Sequence, residues 1–183
     1  MIAGLVLAAG AGERFGGRKQ SALLDGKPLL EHAISVLRSA PVSDRVVVLG
    51  AYADELGKEI SFEGVRVVEC PGWSEGQSAS LRCGLDAVPS ADAVVVLLGD
   101  QPWVSARAVA AVIAGRRSGA DAVRAGYGGA PGHPVLLERS LFRAIRKLRG
   151  DVGAREVLRN ANVLDIPCDG LGDPRDVDTP ADL

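Results

Sequence analysis

The sequence predicts an α/β fold, a three-layer α/β/α sandwich built on a Rossmann-like, mainly parallel sheet. Short apolar runs rich in Val, Leu and Ile alternate with segments of helical periodicity, which is the pattern of βαβ units whose strands are buried on both faces. Gly and Pro residues stand at the joins between these segments. The length of 183 residues suits one domain with a core of its own, so a single domain is expected over residues 1–183.

The predicted strands are the short runs of β-branched and aliphatic residues. The first of them, at residues 2–7, leads into a glycine-rich stretch, and the run at residues 93–98 leads into Gly99 and Asp100. The complete set of predicted strands covers residues 2–7, 45–49, 65–69, 93–98, 120–124, 134–137 and 163–166.

The predicted helices lie between these strands. The segment 28–39 places its apolar side chains on one broad face, and Pro28 suits the first turn of a helix. Further helices are predicted at residues 51–59, 77–86, 106–117, 139–148 and 154–159.

The net charge and the lengths of the apolar stretches argue against two classes of partner. The net charge of -2 and the pI of about 5.7 provide neither the basic surface nor the basic stripe of a protein that binds polymeric nucleic acid. No stretch approaches the roughly 20 apolar residues that span a bilayer, so no membrane association is expected.

The cysteine and histidine pattern contains no metal-binding spacing. Cys70, Cys83 and Cys168 form no Cys-x-x-Cys pair, and His32 and His133 are far apart in the sequence. The pattern favours a cytoplasmic protein with reduced cysteines.

The loops that follow the strands are the places to search for a site, because ligands of such sheets bind beyond the carboxyl ends of the strands. The loop after the first strand and the loop that begins at Gly99 should meet at one edge of the sheet. The first of these loops is rich in glycine and carries three cations: its members are Gly10, Gly12, Gly16, Gly17, Arg14, Arg18 and Lys19.

This composition favours a phosphate-binding loop. Glycines let backbone N–H groups close on an anion, and the cations add complementary charge. A tight strand-to-helix connection would explain the glycines alone but not the cations. A P-loop does not fit, because Gly17 is followed by Arg18 rather than by the required Lys and Ser or Thr.

A dinucleotide fold remains an alternative with little support. Gly10, Gly12 and Gly16 are one residue too widely spaced for its fingerprint, and no acidic residue ends the second strand. An NAD-dependent oxidoreductase is kept as the rival from another enzyme class.

The glycine-rich loop also resembles a known family. It is similar to the signature of the molybdenum-cofactor group of nucleotidyltransferases, typified by molybdenum cofactor cytidylyltransferase and guanylyltransferase. Further similar segments follow in the family's order along essentially the whole chain, and the Gly-His-Pro and Gly-Asp-x-Gly-Ala-Arg elements resemble the cytidylyltransferase branch. The similar segments are 7–16, Lys19, 26–30, 76–81, 99–102, 131–134, 150–155 and 176–180.

The resemblance implies a nucleotide-diphospho-sugar transferase type of fold and a Mg²⁺-dependent reaction. CMP from CTP would be transferred to molybdenum-loaded molybdopterin with release of pyrophosphate, and a molybdoenzyme would receive the finished cofactor. The alternatives are guanylyl transfer to the same pterin and nucleotidyl transfer to a sugar or polyol phosphate. A non-enzymatic accessory that hands over the cofactor is a further alternative. Two departures from the family pattern leave the acceptor open. The segment 19–24 lacks the proline that is common just before the Asp-Gly-Lys-Pro turn, and Trp103 replaces a smaller apolar residue.

Two carboxylates are the candidate magnesium ligands. Asp100 follows a buried apolar strand at the expected ligand edge, where a carboxylate beside a cationic loop favours a metal over a turn-capping role. Asp178 would serve equally well as a helix cap if judged from the sequence alone, and the resemblance implies that it is the second metal ligand.

The candidate nucleotide-binding residues surround the same edge. Arg14 and Lys19 are expected to bind the triphosphate during catalysis. The small residues Ala8 and Ala9 would let the base approach the backbone, and the resemblance of Leu-Ala-Ala-Gly to the cytidine form favours CTP. The full set of nucleotide-binding candidates is Leu7, Ala8, Ala9, Gly10, Gly12, Arg14, Lys19, Ser78 and Ser80, the two serines also being candidates for a helix N-cap.

His133 and Arg155 are the acceptor-side candidates. A phosphate nucleophile has no proton to lose, so His133 is expected to position the acceptor rather than act as a base. The resemblance places Arg155 near the substrate. The basic run between Arg139 and Arg149 is expected to be a solvated helix face.

Overall fold

The computed structural model describes all residues from Met1 to Leu183, and nine strands occur in it. Seven of them form the central sheet and two form a small hairpin beside it. In chain order the strands are β1 (Ile2–Ala8), β2 (Leu23–Leu24), β3 (Lys27–Pro28), β4 (Asp44–Leu49), β5 (Arg66–Glu69), β6 (Ala93–Leu98), β7 (Ala122–Tyr127), β8 (Ala130–Glu138) and β9 (Val163–Pro167). All seven predicted strands are present, and the β2–β3 hairpin is additional.

Six α-helices cover the sheet. They are α1 (Leu29–Ser39), α2 (Ala53–Glu59), α3 (Gln77–Ala87), α4 (Ala106–Gly115), α5 (Arg139–Ile145) and α6 (Arg155–Leu158). Each lies within a segment for which the sequence predicts a helix, to within a residue at its ends. None of them has the length and the apolar character needed to cross a bilayer.

The sheet is mainly parallel, as predicted. Its strand order is β5-β4-β1-β6-β8-β7-β9, and β8 runs antiparallel to both of its neighbours while the remaining pairs are parallel. β7 and β8 extend beyond the predicted runs because their hairpin continues through glycine and polar residues. The carboxyl ends of β1, β4 and β6 lie side by side at one edge.

The core consists of two apolar layers, one on each face of the sheet. Side chains alternate between the faces, so Leu5 belongs to one layer and Val6 to the other. The first layer includes residues of α3 and α5, and the second includes residues of α1 and α2. These layers fix β1 and β6 from both sides, and with them the loops at their carboxyl ends.

The expectation that all cysteines are reduced is wrong for two of them. Cys70 and Cys83 form a disulfide, with their Cα atoms 5.8 Å apart. Cys70 directly follows β5, and Cys83 lies on α3, which packs against β4 and β5. The packing of α3 against these strands brings the two thiols together, which their separation of 13 residues does not indicate. Cys168 is a buried free thiol.

Candidate functional site

A cavity of about 710 Å³ opens at the edge of the sheet where β1 and β6 end. Its walls come from the glycine-rich loop, the loop after β6, the start of α3 and the acidic segment near the end of the chain. It includes most of the residues predicted for nucleotide and metal binding: Leu7, Ala8, Ala9, Gly10, Gly12, Arg14, Lys19, Ser80, Asp100 and Asp178.

The glycine-rich loop is folded tightly around Gly12. The backbone N–H groups of Phe15 and Gly17 donate to the Gly12 carbonyl oxygen at 2.9 and 3.0 Å. Gly12 has a φ of +67°, and a Cβ atom there would lie 3.1 Å from Cβ of Lys19. Glycine therefore permits both the turn and the close approach of Lys19.

No α-helix begins at this loop. Two short 3₁₀ turns follow it, Glu13–Phe15 and Lys19–Ser21, and the first α-helix begins at Leu29. Both the P-loop and the dinucleotide fold bind phosphate at a helix N-terminus, so neither describes this loop. A phosphate here would contact backbone N–H groups and cationic side chains instead.

Lys19 is the centre of the charged part of the cavity. Its ammonium lies 2.8 Å from a carboxylate oxygen of Asp100 and 3.6 Å from one of Asp178. The Lys19 side chain is 13% exposed, so these ion pairs are shielded from solvent more than surface pairs are. Arg14 contacts Asp178 at 3.6 Å but is 82% exposed, so its side chain is free to turn toward a ligand.

Asp178 reaches the site because the chain near its end folds back along the loop after β6. The Val177 N–H donates to the Asp100 carbonyl oxygen at 2.9 Å. The Val177 side chain is fully buried against Leu24 and Leu29. These contacts hold the end of the chain at the loop after β6, so that Asp178 lies close to Asp100 and Lys19.

The chemistry of Asp100 and Asp178 fits a divalent cation that shares its ligands with a substrate. Both carboxylates contact one ammonium group and therefore face a common point. No group of three or more Asp, Glu, His or Cys side chains is arranged to hold a metal with protein ligands alone. Two hard carboxylates completed by water and phosphate oxygens are the usual set for Mg²⁺.

Asp176 is a third carboxylate of the cavity. Burial raises its pKa, and the nearby charges of Asp100 and Asp178 raise it further. A hydrogen bond of 2.8 Å from Nε2 of Gln101 acts in the opposite direction. The direction of this shift shows that three carboxylates are crowded together at this end of the cavity.

Of the two predicted serines, only Ser80 lines the cavity. Ser78 is fully buried, donates to the Gly150 carbonyl oxygen at 2.7 Å and accepts a hydrogen bond from Arg82. These partners engage its hydroxyl away from the cavity, so the expectation that it contacts base or ribose is not supported. Neither serine caps α3, because Gly76 holds that position.

His133 and Arg155 lie outside the main cavity. His133 borders a small apolar extension that shares Leu7 and Gln77 with the main cavity. Burial lowers the pKa of His133 to about 4, so the imidazole is neutral at physiological pH. Arg155 is exposed at the start of α6.

Sequence reasoning missed several residues that line the cavity. Gln20 donates from Nε2 to the carbonyl oxygens of Ala8 and Gly10, at 3.0 and 2.7 Å. Trp73 packs against Gly50, where any Cβ atom would collide with it. Gln20 stands next to Lys19, and Trp73 lies a few residues before the predicted serine segment, but neither residue type signals a site by itself. Three further carboxylates of the cavity, Glu13, Asp151 and Asp176, lie within segments similar to the family but carry no role predicted from the sequence.

The fold and much of the sequence are shared with known proteins. A family model described as the MobA-like NTP transferase domain matches residues 4–165. Nicotine blue oxidoreductase of Paenarthrobacter nicotinovorans is 33% identical, over 97% of this chain and 92% of that protein.

Two further relatives are relevant to the questions of which metal and which nucleotide bind. Rv0371c of Mycobacterium tuberculosis H37Rv is 31% identical with a TM-score of 0.88, covering 99% of this chain and 94% of that one. Its complex with manganese aligns with 29% identity and a TM-score of 0.84, over 99% and 95% of the two chains. The 2-C-methyl-D-erythritol 4-phosphate cytidylyltransferase of Clostridium acetobutylicum is 30% identical over 57% of this chain and 48% of that protein.

Proposed function

Because the chain belongs to the MobA-like NTP transferase family and is therefore a nucleotidyltransferase, we propose that it transfers CMP from CTP to molybdenum-loaded molybdopterin and releases pyrophosphate. The observation that carries the proposal is the position of Lys19 between Asp100 and Asp178, in a cavity lined by a glycine-rich loop. This arrangement provides cations for a triphosphate and carboxylates for a divalent metal.

The reaction requires alignment more than proton transfer. A phosphate oxygen of the acceptor attacks the α-phosphorus of the nucleotide while the bond to pyrophosphate breaks in line with it. The attacking phosphate is already ionised, so no general base is needed. The neutral, half-buried His133 accords with this, because its low pKa of about 4 makes it a poor base.

The chain's own cations would act on the departing charge. Lys19 and Arg14 would bind the triphosphate, and their attraction would strengthen as negative charge moves onto pyrophosphate. Asp100 and Asp178 would hold Mg²⁺, which neutralises phosphate charge when bound. The manganese complex of the similar Rv0371c supports a divalent metal in this family.

The choice of CTP rests on the wall formed by Leu7, Ala8, Ala9 and Gly10. Ala8 and Ala9 are only 7% and 3% exposed, and their methyl groups leave room for a base to reach the backbone. The resemblance of this segment to the cytidine form of the family favours CTP over GTP. The partial similarity to a cytidylyltransferase that acts on a phosphorylated acceptor supports the same choice.

The test is calorimetric titration with CTP, GTP, ATP, UTP and NADH, each with and without Mg²⁺. The proteins are the wild type, Asp100→Asn, and Asp54→Asn as a control at an exposed carboxylate on α2. We expect Mg²⁺-dependent CTP binding that weakens in Asp100→Asn only. Pyrophosphate release with molybdenum-loaded molybdopterin should then require CTP. A preference for GTP overturns the base assignment, and normal turnover by Asp100→Asn overturns the metal assignment.

A redox function is the second candidate, favoured by the similarity to nicotine blue oxidoreductase over 97% of this chain. Such a function would need a site for a reduced cofactor. The loop after β4 continues as Gly50-Ala51-Tyr52 and offers no carboxylate for the ribose of a dinucleotide. Tight NADH binding without any response to a triphosphate would establish this candidate and exclude the first.

A further inference from the structure

Gln101 connects the two segments that carry the candidate metal ligands. It follows Asp100 directly, and its side chain is buried, with the residue only 6% exposed. Its Nε2 group donates to the Pro174 carbonyl oxygen at 2.9 Å and to a carboxylate oxygen of Asp176 at 2.8 Å. Both hydrogens of the amide are thus directed at the segment that carries Asp178.

That segment, residues 171–178, is referred to here as the strap. It runs beside the loop after β6 and contacts it repeatedly. The Asp173 N–H donates to the Trp103 carbonyl oxygen at 3.1 Å, and the Val177 N–H donates to the Asp100 carbonyl oxygen at 2.9 Å. The position of Asp178 relative to Asp100 therefore depends on how the strap docks.

If Gln101 served only to stabilise the docked strap, its side-chain amide would be an unfavourable choice. Its carbonyl oxygen is buried and has no hydrogen-bond partner. An unpaired buried acceptor lowers the stability of the folded state, whereas an apolar side chain of similar size would avoid that loss. We therefore assign the role of Gln101 to the candidate site and not to stability alone.

We propose that Gln101 is a positioning residue for the divalent metal of the proposed reaction. By holding Pro174 and Asp176, it fixes the strap so that the carboxylates of Asp178 and Asp100 meet at one cation. The residue acts through Asp176 and the strap and does not itself contact the metal or the nucleotide. The inference rests on the proposed metal-dependent binding of CTP.

The experiment measures the gain in CTP affinity that Mg²⁺ provides, as the ratio of the Kd without metal to the Kd with metal. In Gln101→Leu we expect this ratio to fall on the order of 10- to 100-fold, the usual effect of removing a residue that orients a metal ligand. The Kd without metal should change less than about twofold, since the cationic loop is untouched. This split separates positioning of the metal ligands from general loss of the site.

Two further variants make the test specific. Asp176→Ala removes the strap carboxylate that accepts a hydrogen bond from Gln101, and it should also lower the ratio. This variant replaces Gln101→Leu in the test if Gln101→Leu fails to fold. Arg107→Ala is the matched control, because Arg107 is an exposed residue of α4 that makes no hydrogen bond or ion pair with the strap or with Gln101. Its ratio should equal that of the wild type.

Hydrogen exchange at the Val177 amide gives a readout independent of any ligand. Exchange should be at least about tenfold faster in Gln101→Leu, while the β6 amides keep their wild-type rates. Wild-type ratios or wild-type Val177 exchange in Gln101→Leu would overturn the inference, as would an equal loss of the ratio in Arg107→Ala. If the wild type itself gains nothing from Mg²⁺, the proposed function fails and this inference fails with it.

Discussion

At the scale of single residues, Lys19 carries the strongest electrostatic role. Its ammonium compensates part of the negative charge of Asp100, at 2.8 Å, and of Asp178, at 3.6 Å. If Lys19 acts as proposed, kcat/KM for CTP should fall on the order of 10²- to 10³-fold in Lys19→Met, because a charge that would stabilise the leaving pyrophosphate is lost. Lys58→Met, an exposed position on α2, is the control in the same steady-state assay. An unchanged kcat/KM in Lys19→Met would contradict the assignment.

His133 links the site to pH-dependent stability. Burial lowers its folded-state pKa to about 4, compared with about 6.5 in the unfolded chain. The unfolded state therefore binds the proton more tightly, and stability falls as the pH drops from about 6.5 to about 4. We expect a loss on the order of 2–3 kcal/mol between pH 7 and pH 4.5 from this group.

Urea unfolding at the two pH values checks this expectation. The variant His133→Gln should lack that part of the loss, although carboxylates elsewhere will still contribute to its pH dependence. An identical pH dependence in the wild type and the variant would exclude a buried neutral histidine as its source.

The single residues also differ in how far the sequence reveals their roles. Lys19 and Asp100 lie together in the cavity, as the sequence predicts from a cationic glycine-rich loop and a carboxylate at the adjoining strand end, whereas their roles in binding phosphate and metal stay predictions. Gln101 and Gln20 are not predictable, because an amide gains its role only from carbonyl groups that are distant in sequence or hidden in a turn. Ser78 is predicted as a ligand contact, but the direction of its hydroxyl depends on Gly150, which is 72 residues away.

At the scale of elements, close contacts among loops shape the cavity wall. A Cβ atom on Gly50 would lie 2.6 Å from the Ala9 carbonyl oxygen and closer still to Cβ of Trp73. Gly50→Ala should therefore lower the free energy of unfolding by about 1–3 kcal/mol. It should also weaken CTP binding, because Ala9 and Trp73 both line the cavity.

Gly57→Ala provides the control for denaturant unfolding and calorimetry. Gly57 is exposed inside α2 and has nothing within 4 Å of a Cβ position, so this change should stabilise the protein by about 0.5–1 kcal/mol. Wild-type stability and wild-type CTP affinity in Gly50→Ala would show that the wall accommodates a methyl group without strain.

Helices and strands are predictable where the hydrophobic periodicity of the sequence is strong. They are not predictable where the pairing between strands determines the structure. The existence of each of the seven sheet strands is confirmed, and so is the mainly parallel sheet. The antiparallel course of β8 is not predicted, because the run at 134–137 shows only its apolar half. The other half contains Gly132 and Pro131, whose pairing with β7 is a tertiary property.

At the scale of the whole molecule, the Cys70–Cys83 disulfide adds a covalent link between β5 and α3. Reduction should lower stability by roughly 3 kcal/mol, the typical value for a loop of about 15 residues. The melting temperature should fall by about 6–12 °C. Calorimetric melting of the wild type with and without a dithiol reductant checks this. Cys83→Ala, which cannot form the link, should melt at the same temperature in both buffers, and a wild type insensitive to the reductant would contradict the expectation.

The ammonium of Lys19 already lies where it contacts both candidate metal ligands. A divalent ion that binds alone would displace this ammonium from the two carboxylates and leave it without an anionic partner. An ion already bound to a triphosphate brings phosphate oxygens that accept the ammonium as it withdraws. If Asp100 and Asp178 hold the metal as proposed, the expected kinetic consequence is that metal and nucleotide enter as one complex.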